Sequence, residues 1–281
     1  MDVISFDYQP QLLITFAYLV LISGVLIVKL ITPLNRLLEY GKNTQLVANA
    51  SSAPTTPLVS VIADKLVVPK SWFTHFYICL FTLSTASYFR ACHDKLVPGE
   101  SASYKNASII QGLLVLQGGR RMAESFLVTK FSPTSKMNFS HYAVGLSHYV
   151  LIAMATYFGV NEFCATSATF TIMDYLLMAM FGASSYQQFS VHYHLANLHK
   201  YSLPSFQTVA SPHYMWEVAL YSVLLIFSVK DGVTPMTWSF LAAWVFVVVN
   251  LSITSIETYK YYKSKYPDEF RLKWAIIPGI L

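Results

Sequence analysis

The sequence predicts an all-α, polytopic membrane protein with about seven transmembrane helices, an N-terminus in the lumen and a C-terminus in the cytosol. Three observations carry that expectation. Hydrophobic residues make up 54% of the 281 and charged residues 12%, and the mean hydropathy is +0.46, outside the range of an ordinary soluble domain. Apolar runs of spanning length, about 17 to 25 residues each, recur along the chain. Lys and Arg are distributed unevenly between the segments that separate those runs.

The first run, near Leu12 to Ile31, is preceded by Asp2 and Asp7 rather than by a basic stretch, and no small-residue cleavage site follows it. It is therefore expected to stay as a membrane anchor. Residues 34–70 read as a cytosolic loop, because Gln45 to Pro57 is polar, bears Ser, Thr and Pro, and has neither a helical nor a strand period. The further runs lie near Trp72 to Phe89, Ser108 to Val128, His141 to Phe158, Phe170 to Phe189, Glu217 to Val229 and Trp238 to Ile256, the sixth being short. Residues 259–281 read as a cytosolic tail in which five cations alternate with aromatics. Such a tail suits the headgroup level of a bilayer and equally a phosphorylated cofactor. No internal repeat is visible, so residues 1–281 are expected to form one membrane-embedded domain.

Of the nineteen Lys and Arg residues, this arrangement puts twelve in inside segments and four in outside segments, with Lys29, Arg120 and Arg121 within spans. The positive-inside rule then places the C-terminus in the cytosol. The net charge of +5 follows from that asymmetry and suits anionic membrane lipid, and it makes no case for nucleic acid. Cys79, Cys92 and Cys164 have neither metal-type nor redox-type spacing and read as reduced packing residues. Asn106-Ala-Ser is a candidate glycosylation acceptor on the outer side.

The third run holds the strongest functional signal. Gln117, Arg120, Arg121 and Glu124 fall at i, i+3, i+4 and i+7 and so share one helical stripe. Each charge costs roughly 2.5 to 3.5 kcal/mol at mid-membrane on insertion scales unless it is paired or faces a wet cavity. The stripe is expected to point at a site, the alternative being an internal Arg120–Glu124 pair that joins helices.

Polar residues become dense again from Gln187 to Glu217. Gln188, His192 and His199 are expected on one helical face, with Asn197 nearby. His213 stands four residues before Glu217, and Pro212 fits the first turn of a helix whose N-terminus would attract an anion such as a phosphate. Metal is not expected. The eight histidines include no adjacent pair, and His192-Tyr-His194 suits no ligand box. No Gly-x-Ser-x-Gly elbow and no Gly-x-Gly-x-x-Gly after a strand occurs, which excludes a hydrolase triad of that type and a Rossmann site.

Four separated patterns resemble the steroid 5α-reductase family, and within it the polyprenol reductase branch. They are Val68-Pro-Lys-Ser-Trp-Phe-Thr-His-Phe-Tyr77, Gln117 to Glu124, Ser211 to Glu217, and Tyr259 through Tyr266-Pro267 to Ile277-Pro278. The closing Tyr-Pro and Ile-Pro pairs point to the superfamily, and the Pro-Lys…His-Phe-Tyr and Arg-Arg-x-x-Glu patterns to the branch. The resemblance implies a multi-pass enzyme of the endoplasmic-reticulum membrane. Such an enzyme uses NADPH to saturate a double bond conjugated to a carbonyl in a polyisoprenoid lipid, yielding the saturated α-isoprene unit of dolichol for protein N-glycosylation.

Carried over residue by residue, the resemblance implies cofactor contacts at Gln188, His192, His199, His213, Glu217 and Tyr259, with Asn197 and the cationic Lys273 as further candidates. Arg121, Glu124, Tyr214, His75 and Tyr77 are the expected polarising and proton-transferring groups, and Gln117 and Arg120 the expected substrate contacts. The chain departs from steroid-reducing members at Gly118, where they carry a tyrosine, and at His192 and His199, where they carry aspartate and arginine. Ser255, Ile256 and Glu257 stand where a histidine commonly precedes the C-terminal tyrosine. Hydride addition needs a sink for negative charge, which a conjugated aldehyde supplies and an allylic alcohol does not, so polyprenal is the expected acceptor. Its long tail is expected to leave between helices two to four, near Ser84, Ala86, Ser87 and Gly145. The alternatives are a steroid or trans-2-enoyl thioester reductase of the same superfamily and, from another class, a transporter or receptor.

Overall fold

The computed structural model describes residues 9–31, 65–94, 105–159, 169–199 and 202–281. Among them are seven long helices: α1 (Gln9–Leu30), α2 (Phe73–Asp94), α3 (Lys105–Leu127), α4 (Phe139–Gly159), α5 (Ile172–Asn197), α6 (Pro212–Val229) and α7 (Pro235–Lys265). Each covers one of the expected apolar runs. Three of them, α1, α6 and α7, are long and apolar enough by composition to cross a membrane. The protein is thus an all-α membrane protein. Most of residues 34–70, the expected loop, lie outside the described residues.

Starts and stops follow local chemistry. The Thr171 side chain accepts from the Asp174 N–H at 3.3 Å while Asp174 accepts from the Thr171 N–H at 2.8 Å, a reciprocal capping box that opens α5. Pro212 and Pro235 occupy the first turns of α6 and α7, where a missing N–H costs nothing. Helices also outrun their apolar stretches. α5 continues past Phe189 to Asn197, and α7 continues past Ile256 to Lys265. The tail expected over 259–281 therefore begins inside a helix. His199 lies beyond α5, after Leu198 has turned extended, so it does not share the helical face of Gln188 and His192.

α2 packs most extensively on α3 and α4, α5 on α6, and α1 and α6 on α7. The shared core includes Tyr18, Leu80, Ile110, Leu114, Ile152, Leu220, Phe227 and Phe240. Leu12, Leu13 and Phe16 of α1 and Ile172, Met173 and Leu176 of α5 are exposed, an outward apolar face that suits lipid rather than water. A two-stranded antiparallel ribbon, β1 (Val67–Pro69) with β2 (Lys136–Asn138), ties the segment before α2 to the segment before α4, in the register Val68 opposite Met137. Val68 and Met137 bury against Phe76 and Tyr77. After α7 the chain folds back: the Ala210 N–H donates to Trp274 O at 3.0 Å and the Ser211 N–H to Ala275 O at 3.1 Å. Phe270 packs with Ala210, Tyr261 and Tyr262.

The N-terminal end of α3 carries a buried ion cluster. Lys105 Nζ donates to Asp174 Oδ2 and Thr169 O, each at 2.9 Å, and Lys230 Nζ pairs with Asp174 Oδ1 and Asp231 Oδ2, each at 2.8 Å. Asn106 is fully buried and donates to Asp231 Oδ2 at 2.6 Å. This overturns the glycosylation expectation, because the amide that would carry a sugar is enclosed and already bonded. Cys79 is half-buried and free.

Candidate active site

The C-terminal half of α3 faces a cavity of about 800 Å³, within the range that small-molecule and cofactor sites occupy. α2, α3 and α4 contribute Phe76, Tyr77, Ser125, Val144 and Gly145 to its wall, and α5, α6 and α7 contribute Gln188, His192, His213, Glu217, Asn250 and Thr254. Arg121, His148, Tyr149 and Phe246 line the same space.

The α3 stripe divides in two. Glu124, 2% exposed, lies at its centre. Its Oε1 accepts from Arg120 Nη1, its Oε2 accepts from Arg121 Nη1, and Oε2 stands 2.8 Å from His192 Nδ1. Arg120 also donates through Nη2 to Gln117 Oε1 at 2.8 Å and to Gln188 Oε1. Gln188 in turn donates to Glu217 Oε2 and, at 3.2 Å, to His213 O. Gln117, Arg120 and Glu124 thus form a bonded wall that joins α3 to α5 and α6. Arg121 alone of the stripe lines the cavity. Both readings of the stripe therefore apply, to different residues: Arg120–Glu124 joins helices, and Arg121 meets the site.

Tyr77 accepts from Arg121 Nη2, and the guanidinium carbon lies 4.5 Å from the centroid of its ring. This contact depends on how closely α2 and α3 approach. A Cβ on Gly118 would lie 2.8 Å from Phe81 N and 2.9 Å from Phe81 Cα, both backbone atoms, and one on Gly119 would lie 3.2 Å from the Phe81 ring. Gly118 therefore faces the α2 backbone, not the cavity, and no larger side chain fits there without parting the helices. Tyr77 precedes Phe81 by one turn and Arg121 follows Gly118 by one turn, so the close approach brings the two together. The ring of Tyr149 lies 5.9 Å from that of Tyr77.

His192 Nδ1 faces Glu124 Oε2 at 2.8 Å and Arg121 Nη1 at 2.6 Å. With a proton on Nδ1 the ring donates to the carboxylate, and without one it accepts from the guanidinium. His148 is fixed more tightly. The Tyr18 hydroxyl donates to His148 O at 3.1 Å, so its oxygen accepts from Nδ1–H at 3.2 Å and Nε2 accepts from the Tyr221 hydroxyl at 2.7 Å.

Of the residues singled out in the sequence, Tyr77, Arg121, Gln188, His192, His199, His213, Tyr214 and Glu217 line the cavity. Gln117, Arg120 and Glu124 stand behind its wall. Four others lie elsewhere. Asn197 is exposed and donates to Tyr193 O at 3.0 Å, Tyr259 packs edge-on against Phe270, and Lys273 is exposed on the folded-back tail. His75 sits on the outer side of α2 between Trp72 and Tyr142, whose hydroxyl is 3.2 Å from its Nδ1. The opening expected near Ser84, Ala86 and Ser87 is not there: Ser84 and Ser87 are buried in helix contacts, and the Phe76 ring fills the space a Cβ on Gly145 would enter, at 2.7 Å.

Sequence reasoning passed over His148 and Tyr149 of α4 and the stripe Asn250, Thr254, Thr258 of α7, all of which line the cavity. The signals were present: an imidazole inside an apolar run, and polar residues at i, i+4 and i+8. Among the described residues no group of three or more His, Cys, Asp or Glu side chains is placed to hold a metal.

No protein-family model matches the chain. It is similar over most of its length to polyprenal reductases. That of Saccharomyces cerevisiae is 29% identical over 248 residues, covering 87% of this chain and 85% of that one. That of Drosophila melanogaster is 29% identical over 286 residues, covering 86% and 82%. The human one is 25% identical over 283 residues, covering 86% and 84%. The resemblance to this branch read from the four sequence patterns is borne out by these relatives.

Proposed function

We propose that the chain is a membrane-bound polyprenal reductase, an oxidoreductase that saturates the α-isoprene C=C bond of polyprenal, the one conjugated to the aldehyde, on the route to dolichol and so supports protein N-glycosylation. The observation that carries this reading is a cavity walled by Arg121 and Tyr77 together with polar side chains of α5, α6 and α7, in a chain whose relatives bear that name. All seven helices span the endoplasmic-reticulum membrane, residues 1–281 act as one domain, and the α3 end that holds Glu124 faces the cytosol.

The residues fit NADPH. The wall from α5, α6 and α7 presents Gln188, His192, His213, Asn250, Thr254 and Thr258, with the Glu217 carboxylate beside them, donors and acceptors of the kind that hold an amide and riboses. Lys70 and Lys130 line the same cavity and are point charges suited to phosphates. When bound, NADPH supplies the hydride that adds to the β-carbon of the enal.

The protein supplies the sink and the proton. As the β-carbon gains hydride, negative charge moves to the aldehyde oxygen, and Arg121 is the cation of the α3 stripe that lines the cavity. Glu124 holds the Arg121 guanidinium in one orientation, so little reorganisation is needed as the enolate forms; preorganised donors of this kind are worth about 2.7 to 4 kcal/mol each. Tyr77 accepts from Arg121 and keeps its own proton, which makes it the donor to the enolate oxygen or, through that oxygen, to the α-carbon. Tyr214, also on the cavity wall, is the second hydroxyl within that space. Gln117 and Arg120 hold α5 against α3 rather than touching substrate.

The test is anaerobic oxidation of NADPH by the purified protein in lipid, with polyprenal, polyprenol and a 4-ene-3-ketosteroid offered separately and products followed by mass. Two mass units added to the aldehyde alone are expected. Turnover of the steroid with neither isoprenoid would move the chain to the steroid side of the superfamily. Binding without NADPH oxidation would favour a transporter or receptor.

A further inference from the structure

A second hollow lies on the outer face of α2 and α3, beside the cavity. This groove of about 570 Å³ is lined by Trp72, His75 and Ile78 on one side and by Phe126 on the other. Its remaining wall includes Ser125, Thr129 and Phe131, and these three residues also line the cavity. One layer of side chains therefore separates the two spaces. Ser125 follows Arg121 by one helical turn, so the wall stands about 6 Å along the helix from the cation that meets the aldehyde. The first isoprene units of a chain cover that distance.

We propose that this groove is the exit and binding track of the polyisoprenoid tail, with Phe131 as the side chain that the tail displaces between cavity and groove. The proposal rests on the reading of the chain as a polyprenal reductase, and adds where the rest of the substrate lies. Three observations support it. First, a cavity of about 800 Å³ is the size of a site for one drug-sized ligand or cofactor, so with a dinucleotide inside it has room for the head of the lipid and not for a long tail. Second, Trp72, Ile78, Phe126 and Phe131 give the groove apolar side chains among the hydroxyls of Ser71, Thr74, Ser125 and Thr129; Phe126 is 64% exposed, and the ring of His75 lies 5.4 Å from that of Trp72 and 6.0 Å from that of Tyr142. Third, the other residues at this end of the cavity include Lys70, Lys130 and Ser132, which suit phosphate and offer nothing to a hydrocarbon. None of these three lines the groove, whose lining includes no Lys, Arg, Asp or Glu. The groove also gives His75 a place in the protein, as a wall of the tail track and not as a proton donor.

The experiment compares a long-chain polyprenal with a short isoprenoid enal in wild-type protein and in Ile78→Trp, a substitution that fills the groove without reaching the cavity wall. The ratio of kcat/KM for the long substrate to that for the short one is expected to fall by about tenfold or more. An unchanged ratio overturns the proposal. Should the variant fail to insert, the same question is put to wild-type protein with a long-chain polyprenal carrying a diazirine in its third isoprene unit. After irradiation in membranes, label on Ile78 or Phe126 supports the track, and label confined to the cavity lining, to α1 or to α4–α7 overturns it. Label of those groove residues by a photoreactive phospholipid acyl chain that excess polyprenal does not displace would also overturn it, since the groove would then belong to bulk lipid. Wild-type protein that reduces neither chain length sinks the functional reading and the track with it, whereas reduction of both with an unchanged ratio in Ile78→Trp sinks the track alone.

Discussion

The two ends of α3 carry the same kinds of charge and put them to opposite uses. At the N-terminal end, Lys105, Asp174, Lys230 and Asp231 alternate in sign, and Asn106 and Thr169 O take up hydrogen bonds that remain. About 28 Å along the axis, Arg120, Arg121, Glu124 and His192 form an equally dense cluster, but one of its cations lines a cavity. Lys105 and Asp174 are 7% and 0% exposed, so the pair at the heart of the first cluster is enclosed by protein, with Asp231 at its rim. The difference teaches that dense charge on a helix does not by itself border a cavity. What borders one here is a charged group that its partners orient but do not enclose.

That contrast breaks most readily at Glu124. Glu124→Gln leaves Arg121 without its orienting carboxylate, and kcat is expected to fall by about 100-fold or more in protein that still inserts in the membrane. Turnover near the wild-type level, measured as NADPH-dependent reduction of polyprenal, would remove the open cluster from the reaction. Asp174→Asn should do the reverse. It leaves Lys105 buried without its counter-ion, which costs roughly 3 to 5 kcal/mol and should appear as a lower denaturation midpoint, while Lys230 keeps Asp231 and kcat per folded molecule stays as in the wild type. A loss of kcat with unchanged stability would mean that the closed cluster takes part in function.

The smallest effect belongs to Asp231, past the end of α6 and at the rim of the closed cluster. Burial disfavours its charge, but hydrogen bonds from Lys230 and Asn106 outweigh that and hold its carboxyl below the ordinary carboxylate range. A depressed folded value means stability that is complete above the unfolded value of about 3.9 and lost as pH falls through the lower folded value. Its side chain is 37% exposed, so the contribution is screened and should stay below about 1 kcal/mol. Denaturation of Asp231→Asn should therefore depend less on pH below about 4 than that of the wild type. Identical acid profiles would show that Asp231 adds nothing to the closed cluster.

Much of this was legible in the sequence, and the reasons are physical. Apolar length dictates where helices form, because a backbone without water must bond within itself, and all seven runs became helices. The i, i+3, i+4, i+7 spacing from Gln117 to Glu124 put those side chains on one stripe before any fold was known. Helix ends were less legible. α7 passes Ile256 and runs to Lys265 because Tyr261 and Tyr262 find Phe270 to pack against, a partner that hydropathy cannot see.

The sequence by itself determined the class of protein, the helices, the charged stripe and the branch of reductases it resembles. Only the tertiary structure decided which member of the stripe meets the cavity: Arg120 and Arg121 are neighbours with the same charge, and the positions of α5 and α2 give the first to Gln188 and the second to Tyr77. The tertiary structure also decided that Gly118 is a helix contact, that Asn106 is enclosed and that His148 joins α1 to α6. Periodicity places a side chain on a face of its own helix. What lies opposite that face depends on the packing of other helices, and the distances that govern hydrogen bonding and charge are set there.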